Sequence, residues 1–147
     1  MAVPMIQTKN LKKYFNTKKG VLHAVDGVDI SINKGETLGV VGESGCGKST
    51  LGRVILKLIE PTEGEVFFEG NDISKYNKKQ MKNMRKEMQI IFQDPFASLN
   101  PRMTVSEIIA EPIKVCKTIK NNNDILEKVF ELMNTVGLAE RFINTYP

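Results

Sequence analysis

The chain is short of several ingredients, and each shortage removes a class of answer. It has two cysteines, Cys46 and Cys116, in different contexts. They read as reduced thiols of a cytosolic protein rather than a disulfide framework. Its one histidine, His23, belongs to no motif and reads as an incidental surface or edge-strand residue. No apolar run approaches the ~18–20 residues of a membrane span, and the N-terminus lacks a secretory signal pattern. Repeats and low-complexity tracts are absent too. Aromatic residues are missing from the densest basic cluster, Lys78, Lys79, Lys82, Arg85 and Lys86, where Met81, Met84 and Met88 are interleaved instead. Without rings for base stacking, the cluster argues against nucleic acid. It reads as the solvated face of a helix from about Asn77 to Glu87, with a surface near anionic headgroups as the other reading.

What remains is an ordinary soluble composition, 41% hydrophobic and 26% charged over 147 residues, which suits one domain with a sizeable core. Within it lies Gly42-Glu43-Ser44-Gly45-Cys46-Gly47-Lys48-Ser49-Thr50, which satisfies G-x-x-x-x-G-K-[ST] at every fixed position. A polyphosphate demands these residue types. Glycines bring backbone N–H groups close to phosphate oxygens, and the following helix aims its unsatisfied N–H groups and positive dipole end at them. Lys48 supplies a mobile cation for the β- and γ-phosphates and Ser49 a hydroxyl ligand for Mg²⁺. Glu43, Ser44 and Cys46 contribute through their backbones.

The surroundings suit the motif. Thr37-Leu38-Gly39-Val40-Val41 reads as a buried strand entering the loop, and Leu51, Val54, Ile55, Leu58 and Ile59 mark the apolar stripe of a helix leaving it. Upstream, Met5–Thr8 alternates weakly, and Val21–Ile32 shows the period of a half-exposed strand. Glu60-Pro61-Thr62-Glu63-Gly64 is a break, Glu65–Phe68 a short strand, and Met88–Phe92 another buried strand. From Pro95 the pattern turns helical. Thr104-Val105-Ser106-Glu107 predicts a capping box, and Pro112 is expected to close or kink that helix. Asn121–Asp124 should cap a second helix with Leu126, Val129, Phe130, Met133 and Val136 on its apolar face and Gly137 as its stop.

A hydrolytic phosphate-loop enzyme needs an apolar strand running into an Asp, often followed by a catalytic Glu. Ile90-Ile91-Phe92-Gln93-Asp94 has Gln93 in place of the last apolar residue, and Val66-Phe67-Phe68-Glu69 is too short. No catalytic residue is evident. A small kinase or GTPase is the enzymatic alternative. However, Asn77-Lys78-Lys79-Gln80 lacks the aspartate of a guanine-reading N-K-x-D, and Arg53, Arg85, Arg102 and Arg141 are too scattered for a kinase lid. A non-catalytic nucleotide-binding module is the other alternative.

Four segments in order resemble the ATP-binding subunit of an ABC transporter. They are Val25-Asp26-Gly27-Val28-Asp29-Ile30 leading to Gly35-Glu36, GESGCGKSTLGR, PTEGEVFFEGNDI and QIIFQDPFASLNPRMTV. The last resembles the oligopeptide/dipeptide (or nickel) importer branch, and GLAERFINTYP looks like the stretch just before the family's signature sequence. The resemblance spans essentially the whole chain.

It implies an α/β phosphate-loop fold in an N-terminal portion of such a subunit. Residues 1–94 would form an antiparallel β-subdomain and an incomplete parallel core, and residues 95–147 the start of a helical subdomain. It also implies that the signature, the Walker B aspartate, the catalytic glutamate and the switch histidine follow Pro147, so ATP is bound without efficient hydrolysis. Gln93 would be the Q-loop glutamine that reaches Mg²⁺. Phe15, or less favourably Tyr14, would stack on adenine. The segment from Pro95 through Val115 would face the permease. Implied partners are membrane permease subunits and a second ATP-binding subunit, with no nucleic acid. The implied location is cytoplasmic, peripheral on the inner face of the membrane. Leu38–Val41, lacking flanking strands, should leave apolar side chains exposed and the chain prone to self-association.

Overall fold

A computed structural model describes residues 3–94 and 98–147. The chain divides into two compact units, Met1–Ile90 and Ile91–Pro147, a boundary four residues before the one expected after Asp94.

The first unit rests on a four-stranded antiparallel sheet of order β2-β1-β3-β4. Its strands are β1 (Ile6–Thr17), β2 (Gly20–Ile32), β3 (Glu63–Phe68) and a two-residue β4 (Asn71–Asp72). β1 and β2 form a hairpin whose register runs from Ile6 opposite Ile32 to Thr17 opposite Gly20. Two helices accompany the sheet, α1 (Lys48–Ile55) and α2 (Lys78–Met84). One core joins them: Leu11, Val25, Val66 and Phe68 from the strands, Leu51 and Val54 from α1, Ile73, and Met81 from α2. Period-2 alternation in the strands and period-3.6 spacing in the helices aim these side chains at one another.

The expected stripe on α1 is cut short. The helix ends at Ile55, before Leu58 and Ile59. Lys57 N–H donates to Val54 O at 2.9 Å and Leu58 N–H to Arg53 O at 2.8 Å, with Lys57 at φ 50°. This is a Schellman stop, and Pro61 just downstream disfavours further helix. Ile59 still packs on the core, whereas Leu58 is exposed. The Lys57 side chain turns inward and its ammonium donates to Tyr76 O at 2.6 Å, tying the end of α1 to the approach to α2. α2 starts as expected, with Asn77 and Gln80 forming a reciprocal capping box, and hydrogen-bonded turns continue it to Met88.

Two expected strands are corrected. Thr37–Val41 and Met88–Phe92 form no ladder with any neighbour among the described residues, and every pairing in the sheet is antiparallel. Nor is either segment buried throughout, with Val41 92% and Ile91 98% exposed. An apolar run of strand length is a strand only if another backbone lies alongside to take its N–H and C=O groups. The exposure expected for Leu38, Val40 and Val41 is present.

The second unit is a helical pair, α3 (Val105–Cys116) and α4 (Asn122–Thr135), followed by a 3₁₀ turn at Glu140–Phe142. Pro95, Phe96 and Ala97 of the QDPFASLNPR run lie outside the described residues. Thr104 caps α3, with Thr104 N–H donating to Glu107 Oε2 at 2.8 Å. The next two N–H groups, of Val105 and Ser106, reach Thr145 O and Ile143 O. Pro112 does not close the helix, which continues four residues further to Cys116. A proline forfeits one hydrogen bond to the residue four back, and the packing of Ile109, Ala110 and Ile113 outweighs that loss here. In α4 the buried face is Ile125, Val129 and Met133, while Leu126 is 45% and Val136 75% exposed. The face is thus turned by one residue from its expected centre, because Ile125 packs beside Ala110 of α3. Gly137, at φ 71°, ends α4 with the paired bonds Gly137 N–H to Asn134 O and Leu138 N–H to Met133 O.

Thr104→Ala removes the side-chain acceptor of the α3 cap and is expected to cost about 1 kcal/mol in denaturant unfolding. The Glu107 carboxyl is held below its ordinary range, first by the Thr104 N–H and then by the Thr104 hydroxyl. Its folded-state pKa being depressed, its contribution is present above the unfolded value and is lost as pH falls through the lowered one. Glu107→Gln should therefore lower stability by a constant amount at neutral and alkaline pH and flatten the acid limb, so that the two stability–pH curves converge at low pH.

Candidate functional site

The glycine-rich loop runs from the unpaired Thr37–Val41 segment into α1, and its geometry is set at Gly47. This residue is the N-cap of α1, at φ 96° and ψ 0°, with no side chain closing the helix end. The other three helices described here are capped by Asn77, Thr104 and Asn121 side chains. α1 therefore presents its first-turn N–H groups without a side-chain acceptor, a positive dipole end suited to an anion. Gly47 is also wedged against β2, where an added Cβ would lie 2.0 Å from Ala24 O. Only glycine satisfies both the left-handed backbone and the contact.

Lys48 folds back over the loop. Its ammonium donates to Gly42 O at 2.8 Å and Glu43 O at 2.6 Å and lies 3.5 Å from Cys46 Sγ. The loop is thus curled around its own cation, which two weakly held carbonyls keep on the concave side. An incoming phosphate would exchange those neutral acceptors for charged ones, a stronger type of hydrogen bond.

A cavity of about 270 Å³ opens in front of the loop, lined by Gly45, Cys46, Gly47, Lys48, Ser49 and Thr50. Its other wall is the hairpin, through Phe15 of β1 and Leu22, His23 and Ala24 of β2. The structure therefore brings Phe15 to the phosphate loop from thirty residues upstream. It treats the two candidate aromatics differently, through their partners in the hairpin register. Phe15, opposite Leu22, lines the cavity, with the Lys13 ammonium 5.0 Å over its ring. Tyr14, opposite His23, stacks on that imidazole at 3.9 Å and donates its hydroxyl to Asp26 Oδ1. His23 Nδ1 lies 3.2 Å from Asp26 Oδ2. The hydrogen bond from Tyr14, then the one from His23, holds the Asp26 carboxyl below its usual range, and the same Asp26 bond raises the Tyr14 phenol.

Leu22, His23 and Ala24 were invisible as site residues in the sequence. They carry no motif, and only the hairpin register delivers them to the loop. Gln93 is exposed, at a bend after Phe92 in the second unit. Among the described residues no cluster of His, Cys, Asp or Glu is arranged to hold a metal by itself. A cation here would depend on the Ser49 hydroxyl, exposed at the cavity, together with phosphate oxygens.

The comparisons agree on kinship. The family described as ABC transporter matches residues 25–147. The chain is 48% identical to the oligopeptide transport ATP-binding protein OppF of Bacillus subtilis, covering 100% of this chain and 48% of that protein. It is 51% identical to OppF of Haemophilus influenzae (95% of this chain, 42% of that protein). With the dipeptide transport ATP-binding protein DppF of the same species identity is 41% (98% and 46%). The chain thus spans about half the length of the curated relatives it matches. Among solved structures, the ATP-binding cassette MJ0796, dimeric in a post-hydrolysis state with ADP and Pi, superposes with a TM-score of 0.81 at 28% identity. That match covers 97% of this chain and 62% of that one.

Gly47→Ala is expected to cost about 3 kcal/mol or more, the sum of a left-handed β-carbon and a backbone clash. Gly45→Ala, at φ 80° with open space around it, should cost only the first term. Thermal unfolding of the two variants tests the contact with Ala24, and equal losses would refute it.

Proposed function

The chain belongs to the ABC transporter family, and from that premise we propose that it is the nucleotide-gripping part of an ATP-binding subunit that energises uptake of oligopeptides or dipeptides. The observation carrying this reading is the single cavity with an uncapped helix end and a lysine on one wall and an aromatic ring on the other. A nucleoside triphosphate has the matching polarity, anionic at one end and flat and aromatic at the other. The N–H groups of the Gly42–Thr50 loop and α1 would hold the β- and γ-phosphates, with Lys48 moving from its own carbonyls onto them. Ser49 would supply a hydroxyl ligand to Mg²⁺, which screens the phosphate charge when bound, and Gln93 would approach the same ion. Phe15 would stack on adenine. Tyr14 is committed to His23 and Asp26, which favours Phe15 for that role.

We further propose that these 147 residues bind ATP without efficient turnover. Neither apolar run that leads towards an acid has the form of a metal-binding strand: Ile90-Ile91-Phe92 meets Gln93 before Asp94, and Val66-Phe67-Phe68-Glu69 is too short. The names of the relatives, all transport ATP-binding proteins, support membrane permease subunits as partners and a peripheral place on the inner face of the membrane. No helix among the described residues is long and apolar enough to cross a membrane. The dimeric cassette of similar fold supports pairing with a second ATP-binding subunit.

Titration calorimetry with Mg-ATP should give one site per folded chain, and its absence would refute the proposal. Lys48→Ala should weaken binding by roughly 10- to 100-fold, the worth of a charge-assisted hydrogen bond. Phe15→Ala should weaken it by about 5- to 150-fold through lost stacking, and Tyr14→Phe by less than about twofold. ATP hydrolysis abolished by Lys48→Ala in the purified chain would overturn the claim of negligible turnover.

A further inference from the structure

α2 and the turns that continue it divide cleanly by charge. Met81, Met84 and Met88, at i, i+3 and i+7, face inward; Met81 is buried and the other two pack against the same core. Lys78, Lys79, Lys82, Arg85 and Lys86 are all exposed on the other side. None of the five takes part in an ion pair among the described residues, whereas nearby Lys75 is engaged by Asp72 and Glu65. Within Lys78–Glu87 the only acid is Glu87. The fold thus holds five uncompensated cations on a capped helix and the hydrogen-bonded turns that continue it, anchored from below by methionines. Mutual repulsion makes such a face mildly unfavourable unless an anionic surface meets it.

We propose that this face docks on anionic lipid headgroups. Charge complementarity selects an anionic partner, and two features select lipid over nucleic acid. The stripe holds no ring on which a base could stack, and its one aromatic neighbour, Tyr76, packs against the core. Its cations are spread along one helix face, where they can meet a plane of headgroups together. Each lysine or arginine brought near such a surface strengthens partitioning by about fivefold, so five act as a substantial but salt-sensitive tether. The inference is independent of the nucleotide cavity, since none of these residues lines it.

Vesicle flotation of the 147-residue chain tests this, using phosphatidylcholine alone and phosphatidylcholine with phosphatidylglycerol at about 3:1. Flotation is expected only with the acidic vesicles and should fall as salt rises. The variant Lys79→Glu/Lys82→Glu/Lys86→Glu should lose at least about 100-fold in partitioning. The matching Lys→Arg triple should retain it, and circular dichroism should be unchanged in both. Three results would overturn the proposal. One is equal flotation with phosphatidylcholine alone, which assigns binding to the exposed apolar segments. Another is undiminished binding by the Glu triple. The last is binding to an RNA duplex as tight as to acidic vesicles at the same salt.

Discussion

A backbone carbonyl of β2, that of Ala24, sits so close to Gly47, the N-cap of α1, that no side chain fits between them. That contact holds the glycine-rich loop against the β1–β2 hairpin and leaves the start of α1 without a side-chain cap. Everything the cavity can do follows from it. The unsatisfied N–H groups stay aimed at solvent, Lys48 has only its own loop to bind, and Phe15 is brought to the same opening. Moving the helix away by the width of a methyl group would separate the ring wall from the phosphate wall.

Around this contact the stabilising forces are unevenly spread. The sheet and its helices share one apolar core, and Lys57 fastens the end of α1 to Tyr76 O. The helical unit has its own smaller core and ties its first helix to the tail through Thr145 and Ile143 carbonyls. Leu38, Val40 and Val41 on one side, and Ile90, Ile91 and Phe92 on the other, remain exposed without ladder partners. These segments carry strand-forming sequence without a strand's environment, the kind of exposed apolar backbone that invites pairing with another chain.

Local signals were read well where the chemistry is local. The Thr104 cap and the Gly137 stop each depend on residues within four or five positions of one another, so spacing alone reveals them. Signals failed where a distant residue decides. Thr37–Val41 and Met88–Phe92 have the composition of strands, but pairing is a property of two segments. Of the two outcomes expected at Pro112, closing or kinking the helix, closing does not occur, and α3 runs on to Cys116 with Ile109, Ala110 and Ile113 packed in the second core. Leu126 and Ile125 differ by one position, and only the seat beside Ala110 chooses between them. His23 is the exposed edge-strand residue its sequence context suggests, but only the hairpin register shows that Tyr14 lies across from it.

The sequence by itself determined the chemistry of this protein. Glycines, a lysine and a hydroxyl at fixed spacing specify a polyphosphate grip, because main-chain amides and one cation are all that such a ligand requires. Only the tertiary structure decided which aromatic lines the cavity in front of the phosphate loop. Tyr14 and Phe15 are adjacent in the chain and both carry rings, but the hairpin register sets Tyr14 opposite His23, where it stacks and bonds Asp26, and leaves Phe15, opposite Leu22, lining the cavity beside the loop.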